Sequence, residues 1–160
     1  TLRFNFPYME AGKKRPDLPA IAEKTVESVL SKGGELYPQV TLIAAGKSFG
    51  GRMTSQYLSR AYPTFVKGII FYGFPLHAAG NPSVDRAAHL HGIRIPMLFL
   101  QGTRDSLADI SLIDKVCAEL PAATLKKLEG ADHSFKSGKK EMIPDIARLS
   151  AEFITAVQSM

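Results

Sequence analysis

Ser48 stands in Gly46-Lys47-Ser48-Phe49-Gly50-Gly51, where an apolar run, Val40-Thr41-Leu42-Ile43-Ala44-Ala45, gives way to a helix-like stretch from Gly51 to Tyr62. A serine held between small residues at a strand-to-helix turn projects its hydroxyl at the carboxyl edge of a sheet, beside the positive end of the next helix. Bulk at the flanking positions would collide with the strand or the helix, hence glycine. A serine hydroxyl is a poor nucleophile until a histidine takes its proton, and that histidine needs a carboxylate to set its tautomer and stabilise the imidazolium. Asp105, in Gln101-Gly102-Thr103-Arg104-Asp105, follows an apolar run ending at Leu100, and His133, in Gly130-Ala131-Asp132-His133-Ser134-Phe135, follows one ending at Leu128. Each has a plainer reading alone: a glycine-rich helix-start loop, a helix cap, a solvated histidine. Together, in the order Ser, Asp, His at successive strand ends, they are the residue types for acyl transfer through a covalent serine intermediate. Ahead of Lys47-Ser48, the turn does not have the glycine spacing of a Walker phosphate loop.

The elements that must position these residues alternate along the chain. Leu2 to Phe6 reads as a strand and Pro7 to Pro16 as a loop. Leu18, Ile21, Ala22, Thr25, Val26 and Val29 mark one face of a helix ending near Gly33-Gly34. Val40 to Ala45 and Val66 to Tyr72 are buried strands, and the helix between them carries Met53, Tyr57 and Ala61 inward. A long irregular connection from Gly73 to Arg94 leads to a strand over Pro96 to Leu100, a helix over Leu112 to Leu120, and a strand over Ala123 to Leu128. Ile143, Ile146, Ala147, Ser150, Phe153, Ile154 and Val157 give an amphipathic closing helix. This pattern predicts an α/β fold: a mostly parallel sheet with helices on both faces, whose ligands bind at the strands' carboxyl ends.

Composition narrows the function classes. At 160 residues and 45% hydrophobic, the chain fits one domain, residues 1–160, with a sizeable core. No apolar run approaches the roughly 18 residues of a membrane helix, so no membrane partner is expected. The single cysteine, Cys117, excludes an internal disulfide framework, fits a cytoplasmic location, and lies on the apolar face of a helix as a packing residue. The net charge of +5 comes from scattered lysines and arginines without an Arg-rich helix or aromatic-basic ribbon, which argues against a nucleic-acid partner. Cys and His spacings match no zinc module, so no metal is expected.

The chain resembles the small α/β-hydrolase-like family of testis-expressed-protein type, distant kin of dienelactone hydrolases. The matching motifs are Arg3-Phe4-Asn5-Phe6-Pro7-Tyr8-Met9, Gly46-Lys47-Ser48-Phe49-Gly50-Gly51-Arg52, Tyr72-Gly73-Phe74-Pro75-Leu76-His77, Leu98-Phe99-Leu100-Gln101-Gly102-Thr103-Arg104-Asp105 and Ala131-Asp132-His133-Ser134-Phe135. The resemblance implies an α/β-hydrolase fold, a Ser48, Asp105, His133 triad, a small-molecule acyl substrate, and no cofactor. Serine replaces the cysteine nucleophile of dienelactone hydrolases proper. The family fold also begins with further strands and a His-Gly oxyanion loop ahead of the segment that opens this chain, so the fold is expected to be N-terminally incomplete. The backbone N–H of Phe49 is then the expected local oxyanion donor. Two outcomes are expected for the sheet: direct pairing of Leu2–Phe6 with Val40–Ala45, or completion by a strand from another chain or a second copy.

Several other residues sit close to these motifs. Arg52 and Arg104 either hold an anionic group or make structural salt bridges. His77 either lines the pocket or fixes its loop, and Phe74 and Leu76 supply pocket wall or core. Asp132 is expected to cap its loop rather than serve as the triad acid, and His89 and His91 to face solvent. The rival to an acyl hydrolase is a binding or scaffold protein on a hydrolase fold.

Overall fold

The computed structural model describes all residues, Thr1–Met160. Two helices open it, α1 (Pro7–Glu10) and α2 (Pro19–Leu36), each with proline in its first turn, where the missing N–H has no intrahelical partner to lose. Then come β1 (Leu42–Lys47), α3 (Phe49–Ala61), β2 (Val66–Tyr72), a 3-10 helix (Asp85–Gly92), β3 (Met97–Gly102), α4 (Ile110–Ala118) and β4 (Ala123–Leu128). A hairpin of β5 (Lys136–Ser137) and β6 (Lys140–Glu141) precedes the closing helix α5 (Ile143–Gln158). No helix is long and apolar enough to cross a membrane.

The four long strands form one parallel sheet in the order β1-β2-β3-β4. Strands covered on both faces need apolar residues at consecutive positions, and β2 and β3 have them. Ile69, Phe71, Met97 and Phe99 point into the main core with Leu58 of α3, Leu90 of the 3-10 helix and Ile113 of α4. Ile70, Leu98 and Leu100 point the other way, against Ile146, Leu149, Phe153 and Ile154 of α5. Register brings the carboxyl ends level: Lys47 is opposite Tyr72, Tyr72 opposite Leu100, and Gly102 opposite Leu128. The ladder runs one residue past each strand, with Ser48 N–H donating to Tyr72 O at 3.1 Å and Gly73 N–H to Leu100 O at 2.9 Å. The loops carrying Ser48, Asp105 and His133 therefore leave the sheet at one edge.

Leu2–Phe6 is not a strand. Residues 2–5 make no backbone hydrogen bond, and β1 pairs with β2 alone, so the expected direct pairing with Val40–Ala45 does not occur. The apolar alternation of this segment serves side-chain packing instead: Phe6 is buried with Ala22, Val26 and Met53, and its ring lies 5.4 Å from that of Phe49. β1 is thus an edge strand. It starts at Leu42 rather than Val40, and the connection after β2 holds eight residues of 3-10 helix, Asp85–Gly92, that periodicity did not announce.

Candidate active site

The turn after β1 is tight. A Cβ on Gly46 would lie 2.3 Å from the Gly51 nitrogen, and one on Gly51 would lie 2.7 Å from the Gly46 oxygen, so strand and helix touch backbone to backbone. Ser48, at the crest, has φ 49° and ψ −118°, a conformation that a non-glycine residue adopts only when its surroundings enforce it. The strain lifts Ser48 Oγ clear of the helix start, whose first N–H groups, Phe49's among them, have no intrahelical acceptor.

Two further loops converge on it. His133 Nε2 lies 2.8 Å from Ser48 Oγ, and His133 Nδ1 lies 2.7 Å from Asp105 Oδ2. Asp105 is buried. It also accepts from Gln101 Nε2 at 2.7 Å and from the Leu107 N–H at 2.8 Å. All three partners are donors, which an acceptor-only carboxylate satisfies. His133 Nδ1–H must then donate to Asp105, leaving Nε2 free to accept from the Ser48 hydroxyl. The Asp105 and His133 loops are closed on each other: Arg104 N–H donates to Ala131 O at 2.9 Å and Gly130 N–H to Thr103 Oγ1 at 2.8 Å. Only glycine fits at position 102, where a Cβ would lie 2.3 Å from Ala131 O.

A chain of hydrogen bonds from a strained serine through histidine to a buried carboxylate, at the carboxyl edge of a parallel sheet, joins a sequence that matches the family described as "Alpha/beta hydrolase domain" over residues 1–157. The chain belongs to that family. Solved structures share its fold. A predicted CIB-like hydrolase from Thermoplasma acidophilum superposes with a TM-score of 0.63 at 22% identity, over 88% of this chain and 61% of that one. Monoacylglycerol lipase from Paleococcus ferrophilus gives 0.71 at 15% identity, over 91% and 78%. Esterase 2 from Thermogutta terrifontis gives 0.65 at 20% identity, over 88% and 64%. This alpha/beta hydrolase chain thus spans about three fifths of the length of the first of them.

The remaining expected residues of the alpha/beta hydrolase chain divide. His77 is buried, its Nε2 accepting from the Asp109 N–H at 2.8 Å, so its Nδ1–H donates to Ala78 O, also at 2.8 Å. Both ring nitrogens are spent on fixing the loop, and His77 is not a pocket group. Phe74 is core, not pocket wall, with its ring 5.3 Å from that of Phe71 and 5.9 Å from that of Phe99. Arg104 is exposed and makes no ion pair. Arg52, half-buried on α3, has no carboxylate partner either. Asp132 caps its own loop, accepting from the Ser134 N–H at 2.8 Å and the Lys136 N–H at 3.0 Å. These bonds, led by that of Lys136, hold its carboxyl below the usual range. Cys117 is packed away, and burial pushes its thiol up to about 12.

Three participants escaped the sequence reading. His89 is not solvent-facing: its Nε2 lies 2.8 Å from Ser55 Oγ of α3. Gln101 joins two parts of the site, accepting from the Phe74 N–H at 2.9 Å while donating to Asp105. Lys47, inside the turn itself, donates to the carbonyl oxygen of His133 at 2.8 Å and lies 5.1 Å from the ring centroid of Phe135. A glutamine directly after the apolar run ending at Leu100 was the available signal for Gln101, whereas nothing local pairs Lys47 with residue 133.

Proposed function

We propose that the chain is a serine hydrolase of ester, thioester or related acyl bonds, of the testis-expressed type that its motifs resemble. The observation that carries this reading is the spacing of Ser48 Oγ, His133 and Asp105, 2.8 Å and 2.7 Å at its two links. Ser48 Oγ attacks the acyl carbon as its proton passes to His133 Nε2. The carbonyl oxygen, now negative, is met by the Phe49 N–H at the positive end of α3. The tetrahedral intermediate collapses, and the leaving alcohol or thiol takes the proton back from His133. Water then repeats the sequence: His133 accepts its proton, its oxygen attacks the acyl carbon, and Ser48 leaves with the proton as the free acid departs. Asp105 remains a carboxylate throughout and holds the imidazolium.

No step in this scheme calls for a metal or an organic cofactor, and a small-molecule acyl substrate in the cytoplasm suits it. The open edge of β1, beside Ser48, supports completion of the sheet by a strand from a second copy or another chain; light scattering of the purified protein tests the second-copy version. The hydrolase reading itself is tested with a fluorophosphonate probe. Labelling of the wild type that is lost in Ser48→Ala, with both proteins folded by circular dichroism, is the expected result. A folded wild type that takes no label and turns over no p-nitrophenyl ester would overturn it in favour of a binding or scaffold role.

A further inference from the structure

Beside the serine turn, α3 packs against the 3-10 helix of the connection after β2, and each brings an arginine, Arg52 and Arg86. Arg52 follows Ser48 by four residues on α3, about 6 Å along the helix axis. Arg86, from the 3-10 helix, donates to Pro75 O at 3.3 Å and to His77 O at 3.0 Å. The loop it holds begins at Gly73, which lies against the site: a Cβ there would be 3.4 Å from His133 Nδ1 and 3.6 Å from Asp105 Oδ2. Both arginines therefore belong to the edge of the sheet where Ser48 stands.

Neither makes an ion pair. Arg60, farther along α3, is paired with Glu23, and Arg148 with Asp145 and Glu152. Arg52 makes no side-chain hydrogen bond, and its Nε is buried without an acceptor. Burial, followed by the charge of Arg86, lowers its pKa, and no acid offsets the two. One turn on, the Gln56 Oε1 is likewise buried and unpaired. Native structures leave few buried polar groups unsatisfied, and a half-buried charge facing a like charge without a counter-ion costs stability. An anion there gives Arg52 the acceptor and counter-ion it lacks, whereas Gln56 Oε1, itself an acceptor, is not served by it. Guanidinium groups bind carboxylate and phosphate through paired N–H donors, a geometry that an ammonium does not offer.

We propose that Arg52 and Arg86 form an anion subsite that selects esters bearing a carboxylate or phosphate group close to the scissile bond. This rests on the hydrolase reading above. A salt bridge within the protein, the plainer role for Arg52, is absent, so its charge is available to substrate.

The test uses the whole chain. For the wild type, kcat/KM is measured on p-nitrophenyl butyrate and on the p-nitrophenyl monoester of glutarate, which carries a free carboxylate. The charged ester should be preferred by tenfold or more, and Arg52→Gln should cut that preference at least tenfold, with Arg52→Lys keeping part of it. A wild-type preference near one, or a preference unaltered in Arg52→Gln, overturns the proposal. Binding of glutarate and of inorganic phosphate to Ser48→Ala, by calorimetry, reads the subsite without turnover and shows which anion it takes. Loss of that binding when Arg52→Gln is added to Ser48→Ala upholds the subsite even if no ester is hydrolysed, in which case only the hydrolase reading fails. Absence of binding overturns it. Should Arg52→Gln not fold, glutarate is compared with uncharged glutaramide on Ser48→Ala; equal affinity overturns the proposal and selective binding of the anion upholds it.

Discussion

Lys47 Nζ donates to the carbonyl oxygen of His133 at 2.8 Å, so the residue just before the strained serine grips the backbone of the histidine that faces it. The ammonium also lies over the ring of Phe135, whose φ of 62° is one of three positive values outside glycine. One side chain thereby ties the serine turn to a histidine loop that is itself strained. Lys47→Met should weaken the tie without touching Ser48, His133 or Asp105. Charge-assisted hydrogen bonds contribute about 1.5–3 kcal/mol, and this half-exposed one belongs at the low end. The second-order rate of fluorophosphonate labelling should fall about tenfold. An unchanged rate in a folded variant would show that the histidine loop holds itself.

Asp105→Asn puts an NH2 group where one carboxylate oxygen stood, so it faces either the Leu107 N–H or the Gln101 and His133 donors that now share Oδ2. His133 then loses the tautomer that leaves Nε2 ready for the serine proton. Labelling should slow by about 10³–10⁴. A change under tenfold would mean that another group sets the tautomer.

Gly46→Ala and Gly50→Ala sit four residues apart and should behave in opposite ways. The Cβ at 46 would press on the Gly51 backbone at 2.3 Å, whereas at 50 it meets only Phe6 Cε2 at 3.6 Å. Overpacking of backbone costs about 1–3 kcal/mol or more, and alanine for glycine inside a helix gains up to about 1 kcal/mol. Urea denaturation should therefore find Gly46→Ala destabilised or unfolded and Gly50→Ala no less stable than wild type. Tolerance at 46 would contradict the close approach of β1 and α3.

His89 is pushed down to about 4 from its ordinary 6.5, first by burial and then by the charge of Arg52. The unfolded chain takes up this proton as pH falls below about 6.5, and the folded chain only near 4. The unfolded state thus binds more protons between these values, and stability present at neutral pH declines as pH falls through that window. Discounted for partial exposure, the decline attributable to His89 is on the order of 1–2 kcal/mol. Between pH 7 and about 4.5, wild type should lose more stability in urea denaturation than His89→Gln by this amount. Equal losses in the two proteins would place the ring in water.

The three residues at the strand ends were legible because their signals are local. An apolar run announces a buried parallel strand, glycine and turn residues announce where it stops, and ligand-binding groups gather where such strands stop. Ser48, Asp105 and His133 each follow their run within a few residues, so chain order alone assembled them. Asp132 was likewise legible as a loop cap, since the N–H groups that donate to it belong to its own neighbours, Ser134 and Lys136. Which backbone or side chain meets Lys47, Gln101 or His89 was settled by register and loop packing between segments tens of residues apart, which no local spacing encodes. The same holds for Leu2–Phe6. Its alternation suits a strand, but a strand also needs a partner edge, and here the aromatic cluster of Phe6 and Phe49 takes the segment instead. Arg52 and Arg86 are the extreme case: a salt bridge or an open charge depends only on whether an acid folds back within reach, and none does.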